Sequence, residues 1–218
     1  SPGLGNYERL FTSESVQRVI LTTLRICVIT TSLALLLGYI LAYKIALASE
    51  VTRRWWILTV LVPLWISVLV RAFAWVTLLR RQGLVNNALM EAGVISEPLQ
   101  LVWNEFGIIV GMVHYMVPYA VLPIFAAMQS IDGRVVQASR SLGATGAQTF
   151  WRVYLPLTKP GVVAASLVVF IINLGFYVIP AVLGGGKVLM VAEYISVQVL
   201  ITLQWGTAAM LAAILLCV

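Results

Sequence analysis

The sequence predicts an all-α, polytopic membrane protein, and three observations support this. Of its 218 residues, 61% are hydrophobic and only 10% are charged, whereas a soluble domain carries roughly 25% charged residues. The mean hydropathy is +0.99. Four apolar segments are each long enough to cross a bilayer, which takes about 20 helical residues. Soluble enzymes are therefore excluded, and we expect a single transmembrane domain over residues 1–218.

The complete apolar segments lie at residues 20–43, 56–79, 108–128 and 162–183, and a fifth covers residues 208–218. As a helix the fifth would reach about 16 Å, roughly half of the hydrocarbon core. We therefore expect this span to be truncated here and a first span to be missing before Ser1, which gives about six spans in the full protein. The polar residues 1–15 lack the basic start and apolar stretch of a signal peptide.

Lysine and arginine divide the connecting segments into two sets, because cytoplasmic loops are enriched in these residues. Two segments, 44–54 and 129–160, are predicted to be cytoplasmic because they contain Lys44, Arg53, Arg54, Arg134, Arg140, Arg152 and Lys159. Residues 1–15, 80–107 and 184–206 have acidic residues that match or exceed the basic ones, and they are predicted to face outward. Topology thus accounts for the net charge of +6, and no basic run indicates nucleic acid as a partner.

Polar residues near the middle of two spans indicate a candidate path for a solute. The third span contains His114, Tyr115 and Pro118, and the fourth contains Asn173, Gly175, Tyr177 and Pro180. Proline frees a backbone carbonyl, and interrupted helices are tolerated where protein or water covers them. A filled kink explains either stretch alone, but two of them favour a path. The tentative substrate path consists of Arg71, Trp75, His114, Tyr115, Asn173, Phe176 and Tyr177.

Arg25 and Arg71 are the basic residues inside the complete spans, and two interpretations stay open for them. Either their long side chains extend to the outer headgroups, or they face an aqueous cavity. For the second interpretation, Arg18 and Arg25 share a helix face, and Trp75 follows Arg71 by one turn.

Metal-ligand patterns are absent from the sequence. His114 has no Cys, Asp or Glu at ligand spacing, so we expect it to hydrogen-bond to another helix. Cys27 and Cys217 lie in apolar segments and are interpreted as small hydrophobic residues. We expect no metal site and no catalytic group.

The most informative segment is the predicted cytoplasmic loop, residues 129–160. Its two flanks are predicted to be short helices divided at residues 143–146, and each has an apolar face, formed by Val135, Val136, Ser139 and Leu142 and by Phe150, Val153 and Tyr154. Pro156 and Pro160 are expected to end the loop at the next span. Because the loop has apolar faces and little charge, it either docks a partner or packs beneath the membrane domain.

The same loop carries a spaced motif: Gln137-Ala138-Ser139, then Gly143, then Val153, Leu155 and Pro156. It resembles the E-A-A-x3-G-x9-I-x-L-P loop of the permease subunits of binding-protein-dependent ABC importers, which have the type I (MetI-like) fold. Three positions depart from that pattern, namely Gln137, Ser139 and Val153.

Residues 63–65, 69–75, 83–87 and 155–161 resemble the spermidine/putrescine branch of that family. Many polyamine permeases have an acid near Gly175, where this chain has Phe176 and Tyr177.

The resemblance implies a permease subunit of the bacterial inner membrane that converts ATPase closure into opening of a path for a small solute. A polyamine is the expected substrate, and an anionic, ferric-chelate or amino-acid-like substrate is the alternative. The implied partners are a second permease, two cytoplasmic ATPases and an extracytoplasmic substrate-binding protein. This subunit is expected to be no enzyme and to hold no cofactor, with ATP and Mg bound by the ATPase. The implied coupling residues are Gln137, Ala138, Ser139, Arg140, Ser141, Leu142, Gly143, Ala144, Phe150, Leu155 and Pro156.

Two other classes are weaker interpretations of the same sequence. A secondary transporter usually shows intramembrane carboxylates or repeat symmetry, and the complete spans contain neither. An integral membrane enzyme needs a catalytic constellation, which the sequence does not show.

Overall fold

The computed structural model describes residues 13–217, and this part of the chain is helical with no strand. The predicted outer segment at residues 1–15 therefore lies mostly outside the described residues. In chain order the helices are α1 (Glu14–Leu47), α2 (Glu50–Trp65), α3 (Val68–Leu79), α4 (Leu84–Glu91), α5 (Glu105–Gln129), α6 (Gly133–Ser141), α7 (Gly146–Thr149), a π-helical turn (Phe150–Tyr154), α8 (Leu155–Leu174), α9 (Val178–Leu183), α10 (Val191–Leu200) and α11 (Trp205–Cys217).

Three helical stretches are long and apolar enough to cross a membrane: α1, α5 and the run Gly146–Leu174. The predicted spans at 20–43 and 108–128 are confirmed as parts of α1 and α5. Helix α5 stays helical through Pro118 and Pro123, so the predicted interruption at Pro118 is wrong. The predicted span at 208–218 lies within α11 as far as Cys217.

Two predicted spans are broken. The segment 56–79 is divided between α2 and α3, and the chain bends by 97° at this break. Pro63 lies in the last turn of α2 and cannot donate a backbone hydrogen bond, and Ser67 is extended with φ −49° and ψ 136°. The segment 162–183 is divided at residues 175–177, between α8 and α9. Gly175 weakens the helix there because it lacks a side chain.

The described residues group into two compact units, each built from separate stretches of chain. The first unit contains residues up to Thr30, Ile66–His114 and residues from Ile171 onward, and the second contains Thr31–Trp65 and Tyr115–Phe170. The single domain expected over residues 1–218 stays a prediction.

The core of the first unit joins α1 to the two last helices. Its buried residues are Val16, Val19, Val191, Met210 and Leu211. A buried hydrogen bond supports this packing, because the backbone N–H of Val191 donates to Thr23 Oγ1 at 2.9 Å. Elsewhere in this unit the Asn86 side chain ties residue 80 to residue 99, and the Trp103 N–H donates to the Leu183 carbonyl at 2.8 Å.

The core of the second unit consists of Ala42, Ile45, Val60, Val121, Ile124, Met128 and Ala165. Small residues let its helices approach closely, as in many membrane proteins. A Cβ atom added to Gly38 on α1 would lie 2.7 Å from the Ala120 Cβ on α5, and one added to Gly161 on α8 would lie 2.4 Å from the Ala127 Cβ. Larger side chains at these two glycines would therefore push the helices apart.

Candidate coupling segment and substrate path

The coupling segment, residues 132–156, is a pair of capped short helices that leads directly into α8. Asp132 caps α6, because its Oδ1 accepts a hydrogen bond from the Arg134 N–H at 2.9 Å. Thr145 and Gln148 form a reciprocal capping box at α7, with N–H to oxygen distances of 3.3 and 2.9 Å. Such caps satisfy the first N–H groups of a helix.

Gly143 makes the turn between the two helices. Its φ is +85°, in the left-handed region that favours glycine, and nothing lies within 4 Å of an added Cβ. The Ser139 and Thr149 hydroxyls approach to 3.2 Å and join α6 to the end of α7. The division predicted at residues 143–146 is confirmed.

The prediction that Pro156 and Pro160 end the loop is wrong. Both prolines lie within the continuous helical run Gly146–Leu174. The π-helical turn at Phe150–Tyr154 comes just before Pro156, and its last hydrogen bond runs from the Leu155 N–H to the Phe150 carbonyl. Because this wider turn changes the carbonyl that each N–H reaches, the helix continues past a residue that lacks an N–H.

Aromatic rings anchor the coupling segment to α1 within the second unit. The Phe150 ring packs edge-on against the Tyr43 ring, with ring centroids 5.4 Å apart. The Tyr154 ring also packs edge-on against Tyr43, with centroids 5.4 Å apart. The Tyr39 and Thr158 hydroxyls lie 3.0 Å apart nearby. Phe150, one of the predicted coupling residues, is thus half-buried and anchors the segment.

One face of the segment is apolar and open to solvent. Leu142 on this face is 90% exposed. A groove of about 410 Å³ runs along this face, lined by Val135, Ala138, Ser139, Leu142, Ala144, Gln148, Arg152 and Val153. Exposed apolar surface of this kind indicates a protein contact. We name this face the Leu142 face.

Six of the seven predicted path residues belong to the first unit. Arg71 on α3 is buried, with 7% exposure, and it lies close enough to His114 to act on it electrostatically. The Trp75 ring, one turn further on, meets the His114 ring edge-on at 5.6 Å. The structure therefore brings together Arg71, Trp75 and His114, and Arg71 is packed inside the protein instead of extended to the headgroups. The expected hydrogen bond of His114 to another helix stays a prediction.

Three more path residues surround the break after α8. Asn173 is completely buried in the last turn of α8, and the Phe176 N–H donates to its carbonyl at 3.2 Å. Tyr177 is 45% exposed. Tyr115 belongs to the second unit, where its ring stacks on Tyr119 with centroids 5.8 Å apart.

The first unit contains a charged cavity of about 540 Å³, which we call the Arg25 cavity and whose acidic lining the sequence analysis did not predict. Its lining includes Arg18, Arg25 and Lys187 together with Glu14 and Glu105. Arg25 forms an ion pair with Glu105, 80 positions away, and Arg18 pairs with Glu14 at 3.2 Å. Of the two interpretations for Arg25, the structure supports the cavity. The shared helix face of Arg18 and Arg25 was the available sign, but nothing local pointed to Glu105.

Comparison with known proteins supports the interpretation of the loop. Residues 34–218 match the family described as binding-protein-dependent transport system inner membrane component. The chain belongs to this family. It is a permease subunit of a binding-protein-dependent ABC importer, and the predicted all-α fold and multi-pass inner-membrane location are confirmed.

The sequence similarity to curated relatives covers most of the permease. It is 34% identical to the spermidine/putrescine transport system permease protein PotB of Haemophilus influenzae, over 92% of this chain and 70% of the relative. It is 32% identical to the PotB protein of Escherichia coli, over 94% of this chain and 74% of the relative. These similarities confirm the predicted spermidine/putrescine permease branch.

A solved structure shares the fold of the permease. A bacterial alginate ABC transporter, in complex with an alginate pentasaccharide-bound periplasmic protein, matches with a TM-score of 0.76 at 21% identity. The match covers 97% of this chain and 77% of the other.

Proposed function

We propose that this permease imports a small organic cation of the polyamine class, such as spermidine or putrescine. The observation that supports the substrate is its identity of 32 to 34% to PotB permeases, whose names specify these two polyamines. The similarity extends over nearly the whole chain, so it includes the helices that hold the candidate path.

In this proposal the permease works with a second permease, two cytoplasmic ATPases and an extracytoplasmic binding protein. ATP and Mg bind to the ATPases, and this subunit supplies no catalytic group. The Leu142 face supports an ATPase contact because a large, 90% exposed leucine beside a groove matches the apolar centre of a protein interface.

The coupling segment transmits ATPase movement through a stiff connection. Its helices are capped at both starts, and the Phe150 ring is held among the rings of Tyr39, Tyr43 and Tyr154. Since α8 continues from this segment as far as Leu174, a displacement of the Leu142 face is carried along the helix towards the break at Gly175. Two packed arrangements of such an element give the inward and outward states.

The cation would pass aromatic ring faces and the backbone carbonyls left free at the break between α8 and α9. Trp75, Phe176 and Tyr177 supply rings, each worth about 0.5 to 2 kcal/mol towards a cation. Carboxylates for the amines come from the second permease, because the candidate path residues of this chain contain none.

A specific observation favours a second candidate, an anionic, ferric-chelate or amino-acid-like substrate. Arg71 is buried beside His114, and three basic side chains line the Arg25 cavity. A guanidinium that faces the path repels a polycation and attracts a carboxylate or a chelated metal.

Competition uptake distinguishes the two candidates. The full transporter is expressed in a strain that lacks other importers, and uptake is measured with spermidine, putrescine, a ferric chelate and amino acids as competitors. Polyamine transport predicts strong inhibition by spermidine or putrescine alone. Inhibition by the chelate or an amino acid, without any effect of polyamines, would assign the permease to the second class.

A further inference from the structure

A second cavity in the second unit combines two arginines with aromatic and aliphatic walls. It has a volume of about 440 Å³ and lies where α1 ends, α2 begins and α5 ends, beside α6. Its lining includes Tyr43, Leu47, Arg53, Arg140, Phe150 and Tyr154. We call it the Arg53 cavity. The cavity lies outside the candidate substrate path and the Leu142 face, although Arg140 and Phe150 in its lining belong to the coupling segment.

The two arginines have no carboxylate partner within residues 13–217. The ion pairs in this part of the chain are Arg18–Glu14, Arg25–Glu105 and Arg54–Glu50. Arg53 Nη2 donates to the carbonyls of Ala46 and Ala48, at 3.5 and 3.2 Å, whereas its buried Nε has no hydrogen-bond partner. Two guanidiniums that share a cavity without a carboxylate favour an anion with several oxygens, such as a phosphate.

The surface next to this cavity has the character of a membrane interface. Leu47, which lines the cavity, is 67% exposed, and Val51 and Trp55 on α2 are 69% and 68% exposed. Tryptophan beside exposed aliphatic residues and arginine is typical of the headgroup level of a bilayer. The excess of basic residues predicts that residues 44–54 and 129–160 lie on the cytoplasmic side. Anionic lipids are present in that leaflet, and basic pockets between helices on that side bind their headgroups.

We propose that the Arg53 cavity binds the headgroup phosphate of an anionic phospholipid from the cytoplasmic leaflet. Arg53 and Arg140 hold the phosphate oxygens, and the acyl chains lie along Leu47, Val51 and Trp55. The charge of the cavity specifies the phosphate, and the exposed apolar surface specifies the lipid as its source. The proposal depends on the membrane location of the chain and is independent of the transported substrate.

The test uses the full-length permease, purified in neutral detergent with the subunits that copurify with it. Its melting temperature is measured with added phosphatidylglycerol, phosphatidylcholine or inorganic phosphate. The variants are Arg53→Gln and Arg140→Gln, and Arg54→Gln is the matched control because Arg54 is a neighbouring, exposed arginine paired with Glu50. Arg140→Gln decides the result if loss of the Arg53 hydrogen bonds impairs folding.

We expect phosphatidylglycerol to raise the melting temperature of the wild type and of Arg54→Gln by about 5 to 10 °C, as for a ligand at 100 times its dissociation constant. Phosphatidylcholine should have little effect, and Arg53→Gln and Arg140→Gln should lose most of the rise. An equal rise in all variants would overturn the proposal. So would a rise that inorganic phosphate alone reproduces, since the occupant would then be the free ion. A rise seen only in permease from which the ATPase has been removed would likewise overturn it, since the ATPase would then be the occupant.

Discussion

Polar side chains are distributed differently in the two compact units. The first unit buries charged and amide side chains: Arg71, Asn86, Asn173, Glu193 and Gln198. The polar side chains that are buried in the described residues of the second unit are threonines, Thr31, Thr149 and Thr158. In the second unit, the coupling segment exposes the large apolar side chains of Leu142 and Trp151.

Buried polar side chains and exposed apolar side chains are each unfavourable by themselves, so their positions indicate where the protein makes contacts. Moving a polar group from water into an apolar environment costs on the order of several kcal/mol when the group makes no hydrogen bond there. Burial raises the pKa of Glu193, which lies outside the predicted spans, and its Oε2 has no hydrogen-bond partner. Exposed apolar surface, by contrast, is stabilised by a partner protein. The buried amide and charged side chains of the first unit therefore make polar contacts inside the protein, and the coupling segment of the second unit presents apolar side chains for a contact outside it.

The largest effect should come from removing a polar side chain that the first unit needs for its fold. Asn86 is fully buried, donates to the carbonyls of Arg80 and Leu99 at 3.2 and 2.9 Å, and accepts from the Leu99 N–H at 2.9 Å. We expect Asn86→Ala to lower stability by about 2 to 4 kcal/mol because it leaves these groups without a partner. The melting temperature in detergent should fall by about 5 to 10 °C.

Asn87→Ala is the matched control for that measurement, because Asn87 is the exposed neighbour on the same helix. Its effect should stay within about 0.5 kcal/mol. Equal melting temperatures for the two variants would mean that the polar burial in this unit does not stabilise it.

A second prediction concerns the turn of the coupling segment. Gly143→Val places a β-branched residue at φ +85°, a conformation that costs such residues more than about 1 to 2 kcal/mol. We expect substrate uptake to fall to less than a tenth, with normal abundance in the membrane. Gly146→Val is the control, because an added Cβ has open space at both glycines but only Gly143 has a positive φ. Full uptake by Gly143→Val would exclude this turn from coupling.

A third, smaller effect is expected at the ring pair of the candidate path. Trp75→Ala removes the edge-on contact with His114 at 5.6 Å, and such pairs contribute about 0.5 to 1.5 kcal/mol. Uptake should therefore fall by about two- to tenfold, whereas Trp75→Phe should keep most of it. If Trp75→Ala changes stability but not uptake, the pair serves packing alone.

The accuracy of the sequence predictions follows the distance over which each feature is determined. Gly143 and the apolar faces of the coupling segment depend on residues a few positions apart, and the sequence was sufficient for them. The capping box was not predicted, although its pair, Thr145 and Gln148, lies at the expected spacing. The π-helical turn was missed because prolines at 156 and 160 usually end a helix.

The candidate path was harder to predict because it depends on tertiary packing. The helices on the two sides of residues 66–67 are together long and apolar enough for one span, so composition did not indicate the 97° bend. The pairing of Arg25 with Glu105 joins residues 80 positions apart. A single sequence does not specify such contacts, whereas its length, apolar periodicity and loop charges specify the all-α fold.

Site-specific photo-crosslinking at position 142 tests most directly whether the Leu142 face docks the ATPase. A photoreactive amino acid replaces Leu142 in the full transporter, and another replaces Leu167, which is 58% exposed on α8 within a predicted span. Illumination should join the permease to the ATPase subunit at position 142 and to lipid at position 167. Crosslinks to lipid at both positions, with the ATPase present in the complex, would contradict the proposed coupling contact.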